Sequence, residues 1–289
     1  MDNGKKILVA GSTGYLGQYV IQELKRQGYW IRALCRNDQK IEPVRRYIND
    51  VYVGEVTKPE TLTDLCKDID IVFSALEITR QKDGLTYMDV DYQGNMNILK
   101  EAMANRVSKF VYVSVLNADK LKHLEGVKAK EKFVEELKAT NISFVIIRPN
   151  GFFSDIKEVY EMAKKGRVYL FGDGEYRANP IHGMDLAHAC VENLHSINAD
   201  IDIGGPEILS QSEIASQAFA ALGKEKKITY IPLWIKSLIL KVVRAVTSAK
   251  TYGPIEFFMT VLVMDMIAPK VGEHTLGQYF RELKGDDHG

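Results

Sequence analysis

Cysteine is scarce in this chain, with three among 289 residues. Cys35, Cys66 and Cys190 lie far apart and match no metal or redox spacing, so they read as buried thiols of a reducing compartment. A surplus of charge is also missing. The 38 basic residues face 38 acidic ones, which leaves no electrostatic footprint for a nucleic acid. No apolar run reaches the roughly 18–20 residues that span a bilayer. Repeats, low-complexity stretches and long linkers are absent too. A strand pattern begins within a few residues of Met1, which predicts no signal or transit peptide and a cytoplasmic location. The only tail is polar, residues 284–289, and is expected to fray. The length suits one large α/β domain, or a larger unit with a smaller partner.

What the chain does have is a glycine cluster in a telling place. Residues 7–17 read Ile-Leu-Val-Ala-Gly-Ser-Thr-Gly-Tyr-Leu-Gly: an apolar strand pattern, glycines spaced G-x-x-G-x-x-G, then a helical pattern. That order makes a strand, a tight turn and a helix N-terminus whose amides can hold a pyrophosphate. Gly11 permits the turn, Gly14 lets backbone approach phosphate, and Gly17 lets the helix pack closely. Ser12, Thr13, Tyr15 and Leu16 complete the expected dinucleotide loop.

Short apolar strand patterns alternate with amphipathic helix patterns through the first half. Strands are expected at 6–10, 30–34, 51–53, 69–74, 110–114 and 144–148, with helices at 16–27, 60–65, 88–105 and 128–139. This predicts a doubly wound parallel sheet covered on both faces, a Rossmann-type α/β fold. Ligands then bind beyond the carboxyl ends of the strands, in loops 11–14, 35–38, 54–57, 75–83, 115–126 and 149–155. A dinucleotide domain at 1–150 is expected. A smaller, mostly helical cap at 151–289 would pack on it, partly interleaved, with helices at 184–194, 211–222, 233–246 and 254–267.

Cofactor choice turns on the end of the second strand. NAD-specific folds carry an acid there, roughly 20 residues after the glycines; this chain has Arg36. An arginine clamps a 2′-phosphate with a charge-assisted bond of about 1.5–3 kcal/mol, roughly ten- to a hundredfold in favour of NADP(H) over NAD(H). Glu55 and Val56 after the third strand are placed to border the adenine, and Ala75 and Leu76 after the fourth to pass beneath the nicotinamide ribose. Both stretches read equally well as ordinary loop.

Gly11–Gly17, Asp91–Asn97, Phe110–Ser114, Ile146–Phe152, Asn179–Ala187 and Ala268–Leu276 together resemble the atypical short-chain dehydrogenase/reductases. The likeness is to the branch around NmrA-like regulators and isoflavone-reductase-like enzymes, and it runs nearly the whole chain in order. It implies a cofactor-binding role for Pro149 and Phe152 as well. The departures carry as much information. In the family's register Lys130 takes the lysine of the Tyr-x-x-x-Lys pair, and Gly126 falls where the tyrosine belongs. Val115, behind Ser114, takes the place of the catalytic serine, and Asp91 that of the helix asparagine. Classical carbonyl reduction is therefore not expected. In isoflavone-reductase-like enzymes the lysine at this register serves near the nicotinamide without that tyrosine. Lys130 is the candidate catalytic residue on that ground; a ribose contact, or a solvated face shared with Lys128 and Lys132, are the other readings.

Asp185 reads as a helix N-cap, Tyr112 as core, and His188 and His195 show no metal spacing. The runs 233–246 and 257–267 are apolar, with Lys236, Lys241 and Arg244 interspersed. They suit the cap's own core, the lining of an apolar substrate site, or a surface for a protein or membrane interface. Two functions follow: an NADPH-dependent reductase of an apolar enone or quinone, or a non-catalytic NADP(H) redox sensor or assembly factor.

Overall fold

The computed structural model describes residues 4–78, 84–247 and 249–286. The expected loop 75–83 is thus described only as far as Ile78, and residues 79–83 and 287–289 lie outside the described residues. Two compact units emerge: Met1–Arg148 with Leu186–Ile201, and Pro149–Asp185 with Asp202–Gly289.

The first unit is built around a seven-stranded sheet. Its strands are β1 (Lys6–Ala10), β2 (Trp30–Cys35), β3 (Asp50–Val53), β4 (Ile71–Ser74), β5 (Lys109–Val113), β6 (Ser143–Pro149) and the later β9 (Ala199–Ile203). They lie in the order β3-β2-β1-β4-β5-β6-β9, and every pairing from β3 to β6 is parallel. Strand order reverses between β1 and β4, the switch point at which such sheets bind ligands. The helices are α1 (Tyr15–Arg26), α2 (Asn95–Ala104), the short α3 (Ala118–Leu121) and α4 (Glu125–Lys138). Leu16, Val20, Ile21 and Leu24 form the buried stripe of α1. Leu8, Phe110, Tyr112, Phe133, Leu137 and Ile146 anchor the core. All three cysteines are free and buried.

Two local expectations fail for identifiable reasons. The helix expected at 60–65 is only a 3-10 turn at Pro59–Thr61, held by Thr61, whose Oγ1 donates to the Lys58 carbonyl at 2.8 Å and accepts from the Glu55 amide at 2.9 Å. The helix expected at 88–105 opens as a wide π-type segment over Met88–Gly94 before tightening into α2. Such segments often mark functional sites.

The second unit contains α5 (Phe153–Lys164), β7 (Val168–Phe171), β8 (Arg177–Ala178), the start of α6 (Gly183–Glu192), β10 (Leu209–Ser210) and α7 (Gln211–Leu222). It continues through β11 (Ile228–Ile231), α8 (Leu233–Val246), α9 (Ala249–Val261) and α10 (Leu276–Asp286). β7 pairs with β11 in parallel and β8 with β10 antiparallel. Phe153, Tyr160, Ile214, Phe219, Leu276 and Phe280 form its core, with Tyr160 stacked on Phe280 at 5.7 Å.

Three expectations for this half are corrected. Asp185 does not cap α6. His182 accepts the Met184 amide at 3.3 Å, while Asp185 is spent on the amides of Glu273 and His274 and on the His274 ring at 2.7 Å. Pro254 lies within α9 rather than at its start. Most consequentially, α8 buries none of its residues: Trp234 is 66% exposed, and Leu238 and Val242 just over half. It is therefore not the unit's own core. No helix among the described residues is long and apolar enough to cross a membrane.

Candidate functional site

The glycine turn leaves β1 at Ala10 and enters α1 through Gly14. Gly11 adopts φ +79°, in the left-handed region, and a Cβ there would lie 2.6 Å from the Ala75 carbonyl oxygen. A Cβ on Gly17 would come within 2.1 Å of the Gly11 carbonyl oxygen. Backbone thus fills the space where side chains would be, which holds the turn tight against the end of β4. Ser12 is buried and its hydroxyl donates to the Leu34 carbonyl at 2.6 Å, tying the turn to β2. Thr13 accepts the Gln18 side-chain amide at its carbonyl. At the Ncap, Gly14 offers no side-chain acceptor, and the first turn of α1, which includes Tyr15 and Leu16, holds no acid. A helix start of this kind favours an anion.

Beside it, Arg36 follows the last residue of β2 and is exposed. Glu55, just after β3, pairs with Lys58 at 2.8 Å. Lys58 chiefly, with Arg36 contributing, holds the Glu55 carboxyl below its ordinary range. Val56 is buried and its carbonyl accepts the Asn97 side-chain amide at 2.8 Å. Ala75 pairs its amide with the Ala10 carbonyl, and the Leu76 amide approaches Ser74 Oγ at 3.3 Å. These contacts set the glycine turn at the switch point, with Arg36 and Glu55 at the neighbouring strand ends. Pro149 and Phe152 fall in the second unit, at the end of β6 and immediately before α5.

Lys130 points inward from α4, whereas Lys128 and Lys132 are exposed, so the reading as a solvated face fails. Its ammonium lies 3.3 Å from Glu77 Oε2, 3.4 Å from Asp91 Oδ1, and 5.7 Å from the centre of the Tyr112 ring. Burial disfavours the ammonium, but Coulombic attraction to the Tyr112 phenol group, Glu77 and Asp91 outweighs it and holds Lys130 above its ordinary range. Asp91 is almost wholly buried, and its carboxyl is pushed up to about 6 by that burial against the pull of Lys130. Asp91 Oδ2 also accepts the Ile78 amide at 3.1 Å. A relay supports it: Ser74 Oγ donates to Asn95 Oδ1 at 2.6 Å, and Asn95 Nδ2 donates to the Asp91 carbonyl. Ser114 is engaged in a separate network. Its hydroxyl donates to Glu131, which Arg148 grips through two nitrogens at 2.8 and 2.9 Å.

Glu77 and Asn95 escaped the sequence reading. Glu77 sits three residues beyond β4, in a loop expected to be functional, and that position was its one signal. No group of three or more His, Cys, Asp or Glu among the described residues is arranged to hold a metal ion.

A family model described as NAD(P)H-binding matches residues 11–196. The chain belongs to this NAD(P)H-binding family. Divinyl chlorophyllide a 8-vinyl-reductase of Cucumis sativus is 30% identical across 93% of the chain and 71% of its own length. Photosystem II assembly factor Ycf39 of Guillardia theta is 28% identical across 78% of the chain and 73% of its own length. Among solved structures, the NADPH-dependent quinone oxidoreductase of Escherichia coli, determined with NADPH, shares the fold. Its TM-score is 0.76 at 17% identity, covering 96% of this chain and 99% of that one.

Proposed function

We propose that this family member is an NADPH-dependent reductase that saturates a conjugated carbon–carbon double bond, or reduces a quinone, on an apolar small molecule. The observation that carries this reading is Lys130, drawn inward between Glu77 and Asp91 in a unit that keeps its glycine turn intact. Gly126 and Val115 stand where the family places its tyrosine and serine, so the usual carbonyl set is dismantled while the cofactor site is kept. Bound there, NADPH supplies the hydride. The amides of the turn would hold its pyrophosphate and Arg36 its 2′-phosphate, while Lys130 offers a fixed positive charge to the negative charge that develops on the acceptor. A vinyl group, which the name of one relative specifies, is a carbon–carbon double bond of this class.

The test is oxidation of NADPH by the purified chain with menadione, chalcone and protoporphyrin IX, which bears conjugated vinyl groups. Steady turnover of one acceptor supports the reading. Tight NADPH binding with no turnover of any overturns it and favours the second reading, a redox sensor or assembly factor. The exposed apolar stripe Trp234–Leu238–Val242 of α8, with Lys236 and Lys241 beside it, and the likeness to an assembly factor are what recommend that second reading.

A further inference from the structure

We propose that Tyr87 is the proton donor of this site, a phenol brought from a different element to the place where the family carries its helix-borne tyrosine. The inference rests on the reductase reading above and adds to it the source of the proton. Gly126 is the second residue of α4, one turn before Lys130. A Cβ on Gly126 would lie 3.2 Å from Tyr87 Cε1 and 3.4 Å from both Cδ1 and Cζ. The edge of the Tyr87 ring therefore rests on the bare α-carbon of the residue that lacks a phenol, and the glycine is what lets it in.

The placement of Tyr87 is fixed locally. The Thr86 amide donates to Asp89 Oδ2 at 2.8 Å and the Asp89 amide donates to Thr86 Oγ1 at 3.2 Å. This reciprocal cap starts the π-type segment and sets Tyr87 at its head. Gly84, two residues before the cap, adopts φ +76° and turns the chain into it. The ring is half-buried. Its hydroxyl belongs to the same electrostatic group as the lysine: burial, then Asp91 and Glu77, push it up to about 12, and Lys130 pulls it back. It accordingly stays protonated, and able to donate, through the neutral range.

The other phenols nearby are unsuited. Tyr112 lies under Lys130 but is wholly buried in β5, and its hydroxyl has no hydrogen-bond partner. Tyr92 bonds Glu136 at 3.3 Å and lies beneath Lys132, away from the Lys130 side of α4.

The step balances with NADPH as the reductant. A conjugated acceptor takes hydride at one carbon of its double bond and the Tyr87 proton at the neighbouring carbon. The Tyr87 O–H bond breaks, NADP+ and a tyrosinate beside the Lys130 ammonium remain, and water returns the proton. Apart from the Coulombic attraction, no new bond to Lys130 is needed.

The experiment compares wild type with Tyr87→Phe, which keeps the ring against Gly126, for NADPH affinity and for turnover of the acceptor found above. The expected result is unchanged NADPH affinity with kcat reduced about a hundredfold or more. Returning the phenol to the helix in Y87A/G126Y should recover part of the lost kcat. Wild-type kcat in Tyr87→Phe overturns the proposal while leaving the reductase reading standing. A wild type that binds NADPH but turns over no acceptor removes both.

Discussion

The glycine turn and the Lys130 cluster lie in one unit and are made by opposite means. At residues 11–17 backbone does the work: two missing side chains create the shape, and the partners are near in sequence or on the adjacent strand end. Around Lys130 side chains do the work, and they arrive from the loop after β4, the π-type segment and α4. The first construction tolerates almost no added atom. The second leaves room for other side chains: the Tyr87 ring occupies the space beside the bare α-carbon of Gly126. On the proposal above, the cofactor turn is kept while the proton-donating group comes from another position.

The comparison can be broken first at Gly17. A methyl there would meet the Gly11 carbonyl oxygen at 2.1 Å, and backbone has nowhere to yield. Gly17→Ala is expected to cost about 3 kcal/mol of stability, the upper part of the overpacking range, and to abolish NADPH binding. Urea unfolding and calorimetric titration check both; wild-type binding by the variant would mean that steric shape is not what makes the turn. Arg36→Ala sharpens the same half more gently. NADPH affinity should fall roughly ten- to a hundredfold with NADH affinity unchanged, and an equal loss for both nucleotides would reassign Arg36.

A pH-dependent effect belongs to the side-chain half. In the folded chain the Asp91 carboxyl is pushed up to about 6 from an ordinary 3.8, so between those values the folded state holds a proton that the unfolded chain has released. Stability contributed by this group is highest below that window, declines as pH rises through it by about 3 kcal/mol at most, and levels off above it. Asp91→Asn should remove that decline. Parallel unfolding midpoints of the two proteins from acid to neutral pH read the difference, and identical curves would show that Asp91 carries no such cost.

The same contrast explains what the sequence made legible. The turn, the parallel sheet and α7, whose Ser210–Glu213 capping box marks its start, depend on neighbours in sequence and could be read directly. Register alone marks Lys130, but nothing in the sequence marks its partner Glu77, because no local rule brings a loop after β4 beside α4. Asp185 obeyed a capping rule on paper but was claimed by amides far along the chain. The apolar pattern of α8 left core, substrate lining and partner surface open, and its exposure removes the first, since periodicity reports an apolar face without saying what covers it. β9 was missed because Ala199-Asp-Ile-Asp-Ile203 is short and half polar, as an edge strand can be.

The most direct test is Lys130→Met, assayed twice on the same preparation: calorimetry for NADPH, and rapid mixing with the acceptor for a single hydride transfer. If the turn binds and the cluster reacts, NADPH affinity stays within a few-fold while the transfer rate falls about a hundredfold or more. An unchanged transfer rate would contradict that division and remove Lys130 from the chemistry.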